Sequence, residues 1–185
     1  PSSTPMPPLD FSRFAAPACT AMRPATSLIG ASSGSPPPGP VTAGPDGLKL
    51  FREGAQRLRR QTDRAIIGLF GGNLLEMGQF FYRNDNFLLL LAGNPKRAHE
   101  FLDKIMEIHL ANLERFLGAV GEHIDIIVFG DDLGMQQGPQ ISPNMYREFF
   151  QPREKLMWRR VKERMPHLKV MLHCCGGVRE LLDGL

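Results

Sequence analysis

The stretch "IDIIVFGDDLG" at residues 124–134 decides the fold. Its first seven residues are almost continuously apolar and β-prone. A half-exposed strand alternates apolar and polar residues, so this run reads as a strand buried on both faces, the kind found in parallel sheets. It stops at Gly130, and two carboxylates, Asp131 and Asp132, follow at once.

Two further runs of the same kind lie on either side. "RAIIGLF" (64–70) is a short apolar run stopped by Gly71 and Gly72, and "HLKVMLH" (167–173) runs into "CCGG". Helical patterns separate them. "LKLFREGAQRLRRQTD" carries apolar or small residues at 48, 51, 55 and 58, a helical stripe. "NLLEMGQFFYR" follows the first strand with Asn73 as its expected N-cap, and "NDNFLLLLAG" closes on Gly93. The strongest helix is "NPKRAHEFLDKIMEIHLANLERFLGAVG", with Asn94 as cap, Pro95 at the first position and Gly121 at the end. "SPNMYREFFQPREKLMWRRVKERM" begins with a Ser cap, and Pro152 is expected to kink or split it. "GGVRELLDGL" is expected to open another helix.

Strands alternating with helices at this spacing define an α/β fold with a parallel sheet and helical crossovers. The expectation is a partial (β/α)8 TIM barrel over residues 47–185. A closed barrel takes about 250 residues, so the folded part supplies only three or four units. The absence of an initiator Met and the stop at Leu185 fit a piece of a longer protein. Ahead of the barrel, residues 1–46 hold 11 of the 16 prolines, with many Ser, Ala, Thr and Gly. Such a composition buries too little apolar surface to offset its ordering entropy, and a disordered segment is expected there.

Composition excludes several classes. The formal net charge is +3 with no run of like charges, so neither nucleic acid nor an acidic lipid surface is an expected partner. No apolar stretch reaches the roughly 18 residues of a membrane span. Three cysteines, two of them adjacent, make no disulfide framework, and a reducing, cytoplasmic setting is expected.

In parallel α/β folds the chemistry sits at the C-terminal ends of the strands. Asp131 and Asp132 stand there, able to bind a metal, orient a substrate or move a proton; the alternative is a turn or helix-capping device. His173 and Cys175 stand at the next strand end. Residues two apart in a strand share a face, so these two point together and Cys174 points away into the helix layer. A His-x-Cys pair supplies two of zinc's usual four ligands, and the alternative is plain core packing. The remaining histidines, 99, 109, 123 and 167, read as structural or exposed, and Glu76 and Gln79 can look into the barrel mouth.

The order strand, D-D-L-G-x-Q, then G-P-x-I-S-P-x-x-Y-R-E-F, then a strand ending H-x-C-G-G, resembles the uroporphyrinogen decarboxylase superfamily over residues 48–185. More closely it resembles that superfamily's zinc- and cobalamin-dependent methyltransferase branch. The resemblance implies a barrel enzyme acting on a small molecule, with Asp131 and Asp132 orienting the substrate or acting as base and Gln79 at a substrate-binding position. Gln136 and Tyr146 are further candidate substrate contacts, and the alternative for Tyr146, as for Phe149 and Phe150, is a helix-face core or lid residue. It also implies zinc on His173 and Cys175 with a third, distant Cys, a corrinoid as methyl donor or acceptor, and a corrinoid protein as partner. The rival within the family is decarboxylation of a tetrapyrrole carboxylate, for which Arg83 and Arg147 are the nearby cations. A third possibility is an inactive barrel fragment.

Overall fold

The computed structural model describes residues 45–185. The expected disordered segment lies, for residues 1–44, outside the described residues. Its last two residues, Pro45 and Asp46, belong instead to the first helix. That helix, α1, spans Pro45–Gln61 and buries Ala55, with Leu48, Phe51 and Leu58 packed against the core, the stripe read from the sequence.

Three strands follow, β1 (Ile67–Gly71), β2 (Ile126–Gly130) and β3 (Lys169–His173). They form one open sheet in the order β1-β2-β3, parallel throughout. The parallel-sheet expectation is met; the extent is three strands of an open sheet. Between β1 and β2 lie α2 (Leu75–Tyr82), α3 (Asn84–Gly93) and the long α4 (Pro95–Val120). Between β2 and β3 lie the short α5 (Pro143–Met145), a π turn over Tyr146–Phe150 and α6 (Gln151–Arg164).

Each boundary has a local cause. The Asn94 side chain accepts from the Arg97 N–H at 3.2 Å, and Pro95 occupies the first turn of α4, where no amide is needed. Ser142 likewise accepts from the Met145 N–H at 3.2 Å. The expected break near Pro152 takes the form of the π turn: the Gln151 N–H reaches back to the Tyr146 carbonyl, five residues away, just before the proline. The segment after β3 is not an α-helix but a 3-10 helix, Arg179–Gly184.

The helices cover one face of the sheet. Register places Val170 beside Ile127 and Leu172 beside Phe129, and this face packs into the core. There Phe70 meets Phe129 and Phe116 edge-on or tilted, at ring distances of 5.3 and 5.7 Å. Arg153 of α6 is buried and ties to Asp103 and His99 of α4, fixing two crossover helices to each other. The opposite face carries Leu69, Val128 and Met171 in register, and Met171 is 49 % exposed. In a barrel, that face lines the interior.

Candidate metal centre

The site begins where β2 and β3 end side by side. Gly130 pairs with His173, and the Asp131 N–H continues the ladder by donating to the His173 carbonyl at 3.1 Å. Past this point the two carboxylates part company.

Asp131 turns inward. Its side chain is 1 % exposed and accepts three backbone N–H groups: Leu74 at 2.9 Å and Leu75 at 2.7 Å on Oδ2, and Glu76 at 3.0 Å on Oδ1. These are the first-turn amides of α2, which have no partner within the helix. The expected local cap, Asn73, does not serve them; its amide donates to Glu76 instead. Asp131 thus caps α2 from 57 residues away. Burial pushes its carboxyl up to about 7, opposed by the three amides and reinforced by the nearby Glu154. The capping alternative describes its position, and a catalytic Asp131 would have no exposed oxygen to work with.

Asp132 lies on the other side. Its Oδ1 accepts from the Cys175 N–H at 2.9 Å, which stitches the two strand-end loops together. Cys175 Sγ stands 3.5 Å from His173 Nε2, and both residues are exposed. The donor atoms of Asp132, His173 and Cys175 all lie within 4.8 Å of one another. The Asp132 carboxylate, by hydrogen bond and by charge, holds the Cys175 thiol above its ordinary pKa. Cys174 faces the opposite way: its sulfur accepts from the Leu133 N–H at 3.3 Å, it packs against the core, and burial pushes its thiol up.

Glycines make this convergence possible. Gly176 has φ +81°, and a Cβ there would stand 2.6 Å from the Gly134 carbonyl carbon. The loops after β2 and β3 touch backbone to backbone, and Met135 and Gly177 form an antiparallel bridge between them.

Three of the residues picked from the sequence therefore meet, Asp132, His173 and Cys175. The others do not join them directly. Gln79 donates to Asn84 at 2.9 Å and to Gln140 at 2.8 Å, and Gln140 donates to the Asp132 carbonyl at 2.5 Å, so Gln79 reaches the centre through one intermediary. Gln136 lines a shallow groove with Met135, Pro139 and Glu180. Tyr146 is 1 % exposed and donates to Glu154, so its hydroxyl is not open to a ligand as expected. Burial, then the Glu154 charge, raises that hydroxyl's pKa, and burial lifts Glu154 to about 7. Among the histidines, His109 is buried with its ring pKa lowered by burial, and its Nε2 bonds the Asn73 carbonyl at 2.8 Å. Sequence reasoning missed Gln140 and Glu154. Gln140 lay in sight, as the last of three glutamines in the loop after β2; Glu154 looked like an ordinary charge on a helix face.

A parallel α/β sheet carrying its polar cluster at the strand C-termini is the arrangement in which α/β proteins place their sites. The uroporphyrinogen decarboxylase (URO-D) family model matches residues 36–185, and the chain belongs to that family. The domain of this family is a TIM barrel and its members are enzymes. No curated protein matches the chain. Among the described residues, no helix is long and apolar enough to cross a membrane.

Proposed function

We propose that this chain carries the zinc site of a methyl-transfer enzyme of the URO-D superfamily, with His173 and Cys175 as metal ligands. The observation that carries the reading is their separation. Tetrahedral zinc with Zn–S near 2.3 Å and Zn–N near 2.05 Å spaces these two donors about 3.6 Å apart. The Nε2–Sγ distance is 3.5 Å. Core packing, the alternative, does not describe two exposed side chains; a thiol–imidazole hydrogen bond also spans this distance, and metal content separates the two.

When bound, zinc supplies Lewis acidity that favours the thiolate form of a substrate thiol at neutral pH. The chain's own residues do the rest. His173 and Cys175 fix the reacting end over the strand termini, while Asp131 and Gly176 hold the two loops that present them. Gln79 and Gln140 link the rim to the Asp132 backbone by hydrogen bonds. A corrinoid is the methyl donor or acceptor in this reading, carried by a partner protein, and the setting is the reducing cytoplasm, where Cys175 stays reduced and able to bind the metal as a thiolate.

The test is metal content after purification without chelator, together with corrinoid demethylation by a small thiol, followed spectroscopically. Near-stoichiometric zinc in wild type, lost with methyl transfer in Cys175→Ser, is expected. Metal-free protein with an unchanged Cys175→Ser activity overturns the reading. The family's own description keeps decarboxylation as the rival. Carbon dioxide release from uroporphyrinogen by metal-free protein favours it; that reaction needs cationic or amide groups to hold the acetate side chains, and the nearby cations Arg83 and Arg147 pair with Asp85 and Asn144.

A further inference from the structure

The geometry points to Asp132 as a third metal ligand, giving the chain its own oxygen–nitrogen–sulfur donor set. This rests on the zinc reading above and goes beyond it, because the resemblance offers only His173 and Cys175 here and looks to a distant cysteine for a third donor. Three observations converge. The Asp132 carboxylate, the His173 ring and the Cys175 sulfur each place a donor atom within 4.8 Å of the other two. Asp132 is held beside Cys175, since its Oδ1 accepts from the Cys175 N–H at 2.9 Å. Its neighbour Asp131 is committed to α2, so only one of the two carboxylates is available to an ion.

Ligand–ligand edges in tetrahedral zinc run about 3.3–3.8 Å, so from separations within 4.8 Å the Asp132 carboxylate needs to close by at most about 1.5 Å. A half-buried carboxylate at a strand end makes that movement by side-chain rotation. Mixed oxygen, nitrogen and sulfur donors suit zinc or cobalt(II) better than calcium or magnesium, which take oxygen alone. The set also leaves one tetrahedral corner for a further protein ligand or for substrate.

Asp132 has a second possible role, as a mere positioner of Cys175 through the backbone bond, and the test must separate the two. Asp132→Asn keeps an oxygen that accepts the Cys175 N–H but removes the anionic ligand. Zinc affinity of the full chain is measured by competition with a chromophoric chelator, and the cobalt(II) ligand-field spectrum is recorded for the same proteins. Far-UV circular dichroism checks that each variant is folded. The expected result is one zinc per wild-type chain, with Asp132→Asn binding at least about 100-fold more weakly, beyond the roughly 10–100-fold of a lost outer-shell partner. The cobalt spectrum should also change shape. If Asp132→Asn binds as wild type while His173→Ala and Cys175→Ser do not, the Asp132 ligand is refuted and the zinc reading stands. If His173→Ala and Cys175→Ser also bind as wild type, or if wild type binds no zinc, both fall.

Discussion

Replacing Asp131 by alanine should come close to unfolding the protein. The carboxylate serves three amides at the start of α2, two of them, Leu74 and Leu75, in fully buried bonds. Losing an ordinary exposed N-cap costs about 0.5–2 kcal/mol. Here water cannot replace the lost acceptor at the two buried sites, and each unsatisfied buried donor costs about 1–3 kcal/mol. Removing a carboxyl whose burial is itself unfavourable returns part of this. The expected net loss is about 3–5 kcal/mol, against a total of roughly 5–15 kcal/mol for a typical domain. Asp131→Asn keeps acceptor oxygen for part of the set and should lose less. The assay is urea denaturation of the full chain at pH 7, followed by circular dichroism, with stability taken from the midpoint at constant slope. The three amides belong to the loop that begins α2, so the same variant should lose protection from hydrogen exchange at Leu74–Glu76 first. A loss below about 1 kcal/mol would show that water or Asn73 caps α2 after all, and would refute a capping carboxylate reaching across from β2.

Burial pushes both Asp131 and Glu154 up to about 7, so the folded protein holds protons that the unfolded chain releases near pH 4. Stability should therefore fall as pH rises from 5 to 8, by an order of a few kcal/mol, and Glu154→Gln should flatten that slope; a melting temperature that rises over this range contradicts the assignment. Gly176→Ala meets both a left-handed φ of +81° and the Gly134 backbone at 2.6 Å, so it should lose about 2 kcal/mol or more by denaturation and weaken zinc binding. Cys174→Ser, whose hydroxyl can still accept the Leu133 N–H, should change stability by less than about 1.5 kcal/mol and leave metal content as in wild type.

The strands and the long helix could be read from sequence because their signals are local. Apolar runs stopped by glycine gave β1, β2 and β3 to within three residues, and Asn94, Pro95 and Gly121 marked α4 to the residue. Period two in β3 sufficed to separate Cys174 from His173 and Cys175, since alternation is a property of the strand alone. The cap on α2 could not be read in the same way. Asn73 is a favoured capping residue type two positions before the helix, and nothing in the local sequence says that its side chain is taken by Glu76. The acceptor that does the work comes from the next strand, 57 residues on, and only the sheet register brings it there.

The two aspartates show where such reading stops. Asp131 and Asp132 are chemically identical and adjacent, so composition and motif assign them one role. The fold separates them by the same alternation that separates the cysteines. Asp131 continues the β2 ladder against His173, and its side chain falls on the helix side, where α2 begins with unpaired amides. Asp132 then falls on the open side, where the β3 loop offers an amide, a ring nitrogen and a sulfur. The buried carboxylate needs the structure to hold it, and the half-buried one faces the open side because its neighbour fixes the loop. Tyr146 follows the same logic in reverse: it lies in a motif that reads as a binding segment, but the π turn before Pro152 rolls it inward onto Glu154. A pair of consecutive carboxylates after a buried parallel strand thus divides into one that holds the mouth and one that faces it. Which is which depends on the parity at which the ladder ends, here fixed by the pairing of Gly130 with His173.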